Sequence, residues 1–408
     1  MAVAVRFIIY SDVLGTCRDK TFARGQRSGG GKYSEGGDNM RRFLLGLMMV
    51  WLLPAHAEPS RNVDLQALVD EVRDEYGLVG LGAVVAFSDG DMIGPVVGGQ
   101  RAKGADAIKT SDAWHLGSNT KMLTALIYGR MVEDEIVSWG ATLPELFPDL
   151  ADRMHADWQD VTIEHLFWHR SGLAANPDMT WFLTSRSDAR SLPDQRKALV
   201  EQFLTQPASG ERGRFVYSNL GYIVAGAAIE DAMSRQLGEA IAYEDLFERV
   251  LLSDASEDDK ALWGFGPPPD IRGHNRVPFL GLMPQGTGPG ADNPAAFGPA
   301  GTVHVALKPH AELLRDVYLK SADTKTVQIL YSAPSADADY VLGLGRSVSD
   351  DAGLVYGHDG SNTMNLSHVS ILPDQGLVLI INTNQADRAG SEGLRELRQR
   401  VMEQLLGP

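Results

Sequence analysis

Strand-like pattern stands at both ends of the globular sequence, with a long helical stretch between. Asn62 to Tyr76 places Leu65, Leu68, Val69, Val72 and Tyr76 at helical spacing. Leu81 to Phe87 (LGAVVAF) is strand-like, Ser88-Asp89-Gly90-Asp91 has turn chemistry, and Met92 to Val97 returns as a second strand. From about Gly117 to Leu252 the periodicity is helical, with many small residues between Ser218 and Met233. Strands then reappear at Val341–Val348, Leu354–Tyr356, Ser367–Leu372 and Leu377–Asn382, and Gly390 to Leu406 closes as a helix. An N-terminal hairpin joined to C-terminal strands in one antiparallel sheet, flanked by helices and carrying a mostly helical insertion, is an α+β fold. The α/β part spans about 58–115 and 300–408, the helical part about 116–300. No internal repeat is visible. Between 264 and 301, 17 of 38 residues are Gly or Pro, a density that excludes long regular elements. Such a loop in a compact domain is expected to be ordered and to cross the front of the protein.

The N-terminus has a different character. Met40-Arg41-Arg42 precedes FLLGLMMVWLL (Phe43 to Leu53), and Ala55-His56-Ala57 follows Pro54. A basic start, a short apolar core and a small-x-small site form a secretory signal peptide. The 11-residue apolar run is about half of what a membrane-spanning helix needs, so no stable membrane anchor is expected. Residues 1–39 are Gly- and Arg-rich and read as an over-extended reading frame, 40–57 as the signal, and 58–408 as the mature domain. Cleavage near Ala57 implies a periplasmic or secreted product. Residues 58–408 carry 29 Lys/Arg and 49 Asp/Glu, a net charge of −20, which argues against nucleic acid as a partner. Cys17, the one cysteine, falls in the discarded part, so the mature chain has neither a thiol nucleophile nor a thiolate metal site.

Three short motifs carry chemistry. Ser118-Asn119-Thr120-Lys121 is S-x-x-K, Tyr217-Ser218-Asn219 is Y-x-N, and His358-Asp359-Gly360 is H-x-G. Gly117 precedes the serine and a helix continues after it, so Ser118 and Lys121 at i and i+3 share a face. A serine hydroxyl is a weak nucleophile until a neighbouring base takes its proton, and a lysine serves when burial lowers its pKa. Tyr217 can place a phenol beside the serine and Asn219 an amide that orients substrate. Gly360 lets substrate approach the backbone, and the Ser361 N–H can join that of Ser118 as an oxyanion hole. Each motif alone also has a plain structural reading: a Ser N-cap with an exposed Lys one turn later, a buried aromatic before a helix, a hairpin turn.

Taken together, GSNTK (117–121), YSN (217–219) and GHDGSN (357–362) resemble the penicillin-recognising serine hydrolases. The branch is that of class C β-lactamases, D-alanyl-D-alanine peptidases and β-lactamase-like carboxylesterases. TIEHLFWHRSGL (162–173) and GPAGTV (298–303) add to the resemblance, which covers about 62–405. It implies the β-lactamase/penicillin-binding-protein transpeptidase-like fold and no cofactor. It implies Ser118 as the acylated nucleophile, Lys121 and Tyr217 sharing proton transfer, Asn219 against the acyl side chain, and the Ser118 and Ser361 amides on the oxyanion. His358 stands first in a triplet that is often K-T-G, and a histidine is largely neutral near pH 7. Neutral esters and amides thereby gain over substrates that present a carboxylate. The substrate is a small ester or amide (a β-lactam, a D-amino-acid peptide of the cell wall or a carboxylic ester), and the alternative is a binding homologue that acylates with little turnover.

His165 and His169 at i and i+4 could place two metal ligands on one helix face, but Leu166 stands where H-E-x-x-H needs Glu, so both are read as structural and no metal is expected. G-x-S-x-G is absent, which excludes the α/β-hydrolase nucleophile elbow. Trp168, Trp181 and Phe182 read as core packing ahead of an acyl pocket. N-terminal sequencing of the native product is expected to begin at Glu58, with no peptide from 1–39.

Overall fold

The computed structural model describes residues 58–407, so the segments read above as a surplus reading frame (1–39) and a signal (40–57) lie outside the described residues. The Asp64 side chain accepts the Ala67 N–H and starts α1 (Leu65–Tyr76), which ends at Gly77 in the left-handed region, φ 60°. Leu65, Leu68, Val69 and Val72 form its buried stripe. Strand β1 (Gly80–Phe87) is buried at every position, and β2 (Met92–Gly99) pairs with it antiparallel. Burial on both faces explains why β1 reads as an unbroken apolar run and does not alternate.

The insertion leaves through the short strand Trp114–His115, which pairs with Val303–Val305, where the chain comes back. Its long helices are α2 (Thr120–Glu133), α3 (Leu192–Leu204), α4 (Asn219–Leu237) and α5 (Tyr243–Leu251). Short helices and turns break the run between them. Small residues let backbones close in: a Cβ on Gly226 would stand 2.1 Å from Pro299 Cγ. Fully buried Arg196 on α3 binds Glu230 on α4 and Glu244 on α5, and its Nε donates to the Ala296 carbonyl at 3.1 Å. This strut ties three helices to the end of the Gly/Pro-rich segment.

That segment has no long element, in line with its composition, yet it has more structure than a plain loop. It contains the strand Trp263–Phe265, the hairpin His274–Val277 with Gly281–Pro284, and a helical turn at Gly298–Gly301. The first of these exists through its neighbour, since Phe265 pairs with Val303.

The C-terminal strands are β3 (Gly345–Ser349), β4 (Gly353–Ser361), β5 (Leu366–Leu372) and β6 (Leu377–Thr383), followed by α6 (Arg388–Leu406). They join β1 and β2 in one antiparallel sheet of order β2-β1-β6-β5-β4-β3, with Leu81 opposite Thr383. The expected strand from Val341 begins only at Gly345, because Gly343 (φ 84°) turns the chain onto Met122 of α2, leaving a Cβ there 2.6 Å from Met122 Cα. Conversely β4 extends past Tyr356 and carries His358-Asp359-Gly360 inside the strand. β3 pairs with β4 from Gly353 to Gly357, so 358–361 have no strand partner on that edge.

One face of the sheet (Leu81, Val85, Leu379, Ile381) packs on α1 and α6, and the other (Val84, Val369, Val378, Ile380) on the insertion. No helix among the described residues is long and apolar enough to cross a membrane. Leu397 of α6 is fully buried in the first of these cores. Leu397→Ala is expected to cost about 2–5 kcal/mol in denaturant unfolding and to leave the rate per folded molecule unchanged, because the site lies on the other face.

Candidate active site

Gly117 adopts φ 53°, and a single 3-10 turn, Gly117–Asn119, leads into α2. This places half-buried Ser118 at the helix start, where free N–H groups gather. Two glycines press the serine turn against β4. A Cβ on Gly117 would lie 2.3 Å from the Ser361 nitrogen, and one on Gly360 would lie 1.9 Å from the Leu116 oxygen and 3.0 Å from the Ser118 nitrogen. Side chains at either position would force the segments apart, so the main chain at Ser118 and Ser361 comes close because neither neighbour has one. Thr120 Oγ1 donates to Gly117 O (2.8 Å) and accepts the Val303 N–H (3.2 Å), which fixes the turn from beneath.

Lys121 has no exposed surface. Its Nζ lies 3.1 Å from Ser118 Oγ, 2.7 Å from Asn219 Oδ1 and 2.6 Å from the Ala300 carbonyl. Burial holds its pKa well below the ordinary lysine value. A neutral amine has two N–H groups and one lone pair. The amide and peptide oxygens can only accept, so they take the two N–H groups. In that neutral form the Ser118 hydroxyl is the remaining neighbour, and it can donate to the lone pair. This contact is what a general base needs.

Tyr217 lies against Lys121, with Nζ 4.9 Å from its ring centroid. The ring packs at 4.2 Å on buried His169, whose Nδ1 accepts the Ser218 N–H at 2.9 Å. His169 sits at φ 59° beyond the short helix Ile163–Phe167, whereas His165 lies within that helix and its Nδ1 accepts the Thr162 N–H at 3.1 Å. The i, i+4 pair therefore does not share a helix face. No group of three or more metal-ligating side chains is found among the described residues. Asn219 receives Lys121 on its oxygen and donates to Asn176 Oδ1 at 2.8 Å, so much of its amide is engaged inside the site.

His358 is half-buried on β4. Asn119 Nδ2 donates to Ser367, so Asn119 Oδ1 accepts from His358 Nδ1 at 3.1 Å. The other ring nitrogen then presents a lone pair to the Tyr217 hydroxyl, 3.5 Å away. Burial pushes the His358 pKa down to about 4. Trp181 and Phe182 form a three-ring cluster with Phe297, the packing role expected of them. Sequence reading missed the Ala300 carbonyl, Asn176 and Asn119. Of these, Ala300 lay within a quoted motif, GPAGTV, and Asn119 within another, GSNTK.

Residues 65–402 match the Beta-lactamase family model. The chain belongs to the β-lactamase family. The fold and the resemblance read from the motifs stand, and the family's members are serine hydrolases. Among curated proteins this β-lactamase-family chain is similar to Unguisins hydrolase ungD' of Aspergillus campestris (strain IBT 28561), 24% identical over 287 residues. That match covers 66% of the chain and 52% of the relative, so the chain spans about half the relative's length. Among solved structures it is similar to SurE (TM-score 0.65, 22% identity, covering 83% of this chain and 75% of that one). It is also similar to the D-amino acid amidase of Ochrobactrum anthropi SV3 complexed with L-phenylalanine amide (TM-score 0.65, 18% identity, covering 84% and 98%). These structural likenesses carry the fold.

Gly360→Ala tests the backbone contact. The added methyl meets main chain, so the two amides must separate. Labelling of Ser118 by a fluorophosphonate is expected to slow by about 100-fold or more, with the far-ultraviolet circular dichroism unchanged.

Proposed function

We propose that the protein is an exported serine hydrolase that acts through an acyl-enzyme on Ser118, with neutral esters and amides as its preferred substrates. The buried Lys121 amine, with two acceptors and one hydroxyl as neighbours, carries this reading. Lys121 takes the Ser118 proton as Oγ bonds to the substrate carbonyl carbon. The Ser118 and Ser361 N–H groups hold the oxygen as it becomes an oxyanion. The proton passes by way of Lys121 and Tyr217 to the leaving group as its bond breaks. Water then attacks the ester and gives its proton to the same pair, which returns it to Ser118 Oγ as the bond from Oγ to the acyl carbon breaks.

His358 supports the substrate class. Neutral near pH 7, it supplies no ion pair to a substrate carboxylate, and it stands where β4 has no strand partner on its outer edge. The printed names of two similar proteins add weight: one is an amidase of D-amino acids, the other a hydrolase of unguisins. The basic and apolar leader with Ala57 at its end supports export.

The purified protein, mixed separately with a penicillin, a nitrophenyl ester and a D-amino-acid amide, is followed by intact mass and substrate loss. Turnover of the ester or amide, abolished in Ser118→Ala, is the expected result. A Ser118 adduct with steady penicillin loss would make it a β-lactamase, a lasting adduct without loss would favour a peptidase or sensor, and activity retained in Ser118→Ala would overturn the reading. The pH profile gives a second check. Protonated Lys121 cannot accept a proton, so kcat/KM falls as pH drops through the lowered pKa. It should reach its plateau well below pH 10.5, the ordinary lysine value, and Lys121→Ala should slow acylation by about 100-fold or more.

A further inference from the structure

Beneath the paired amides lies a second buried cluster that the mechanism above does not use. Asp292, from the Gly/Pro-rich segment, and His115, three residues before the nucleophile, have side chains only 3% and 0% exposed. Asp292 Oδ2 is 2.7 Å from His115 Nε2. His115 Nδ1 accepts the Gly117 N–H at 2.9 Å. A backbone N–H can only donate, so Nδ1 carries no hydrogen, and the ring proton sits on Nε2 and points at the carboxylate.

The other carboxylate oxygen reaches the opposite wall. Asp292 Oδ1 accepts Asn362 Nδ2 at 3.0 Å and the Asn293 N–H at 2.8 Å. Asn362 Oδ1 accepts the backbone N–H groups of Met364 (3.2 Å) and Asn365 (2.9 Å), which fixes the amide so that its nitrogen faces Asp292. Arg186 Nη2 donates to the Asp292 carbonyl at 2.8 Å and holds the residue from the far side. One carboxylate thus links the histidine bonded to Gly117 with the residue directly after Ser361.

We propose that Asp292, acting through His115 and Asn362, is the positioning residue that sets the separation of the Ser118 and Ser361 amides. The proposal rests on the reading of those amides as the oxyanion hole. It explains why a charge is buried here. Two donors flank the site, one on each wall, and a carboxylate offers an oxygen to both. An asparagine offers one oxygen and turns an NH2 group against the other donor, so one wall comes loose.

Asp292→Asn and His115→Gln in the full chain test it, with fluorophosphonate as the probe. Ser118 Oγ bonds to phosphorus, fluoride leaves, and the hydroxyl proton goes to Lys121. The end-point counts competent sites, and the rate reports transition-state fit. Each variant is expected to keep the wild-type end-point but label about 10- to 100-fold more slowly. With the ester substrate, kcat should fall by the same factor while KM changes less than about threefold. The double variant should be no slower than about the slower single one, because both cut the same linkage. Fewer competent sites labelling at the wild-type rate would show a merely structural role and overturn the proposal, as would multiplicative losses in the double variant. If Asp292→Asn does not fold, His115→Gln and Asn362→Leu read the two arms separately, and wild-type rates in both would overturn it. Wild-type protein that is not labelled, or is labelled equally in Ser118→Ala, would instead bring down the Ser118 reading itself.

Discussion

Everything at the centre of this protein depends on keeping one lysine away from water. An ammonium group in that position would lack its hydration, and burial lowers the Lys121 pKa accordingly. The surroundings that make this possible come from three distant parts of the chain: the serine turn, the start of α4 at Asn219, and the Ala300 carbonyl. Ala300 in turn is held by the packing of Pro299 on Gly226, by Thr124 Oγ1 donating to Pro299 O at 2.6 Å, and by the Arg196 strut on Ala296. The insertion therefore shapes the surroundings of Lys121, because its helices hold the carbonyl to which the lysine bonds.

A second constraint acts beside it. The turn before α2 and strand β4 meet main chain to main chain, with Gly117 and Gly360 leaving no room for a Cβ. The polar groups beneath them are satisfied in pairs: Thr120 under Gly117 O, His115 on the Gly117 N–H, Asn119 between Ser367 and His358. Such a network is rigid because buried donors left without partners would be costly.

The sequence made the outline legible because the outline is local. The stripe Leu65, Leu68, Val69, Val72 defines α1, the unbroken LGAVVAF run defines a strand buried on both faces, and GSNTK, YSN and GHDGSN mark the segments that meet at the candidate site. What escaped depends on contacts far apart in the chain. Ala300 acts through a carbonyl that every residue possesses, so nothing in its letter announces it. Asp292 lies in a stretch whose Gly and Pro content describes only what cannot form there. Trp263–Phe265 is a strand because Val303–Val305 lies beside it, and strand propensity is dominated by such neighbours. His169 looked like half of a metal pair because spacing alone assumes an unbroken helix, and the chain turns at that residue.

The walls around the Ser118 and Ser361 amides have a consequence for how this protein can diverge. They are built from peptide groups, and the two positions that shape them carry no side chain. Drift elsewhere can replace most of the surrounding residues without touching them, which fits a fold kept at identities of 18–22% with solved relatives. At Gly117 and Gly360 themselves there is no graded series of substitutions to explore, because the smallest side chain already meets backbone. Selectivity can be tuned step by step at the rim, while the reactive floor is inherited whole or lost.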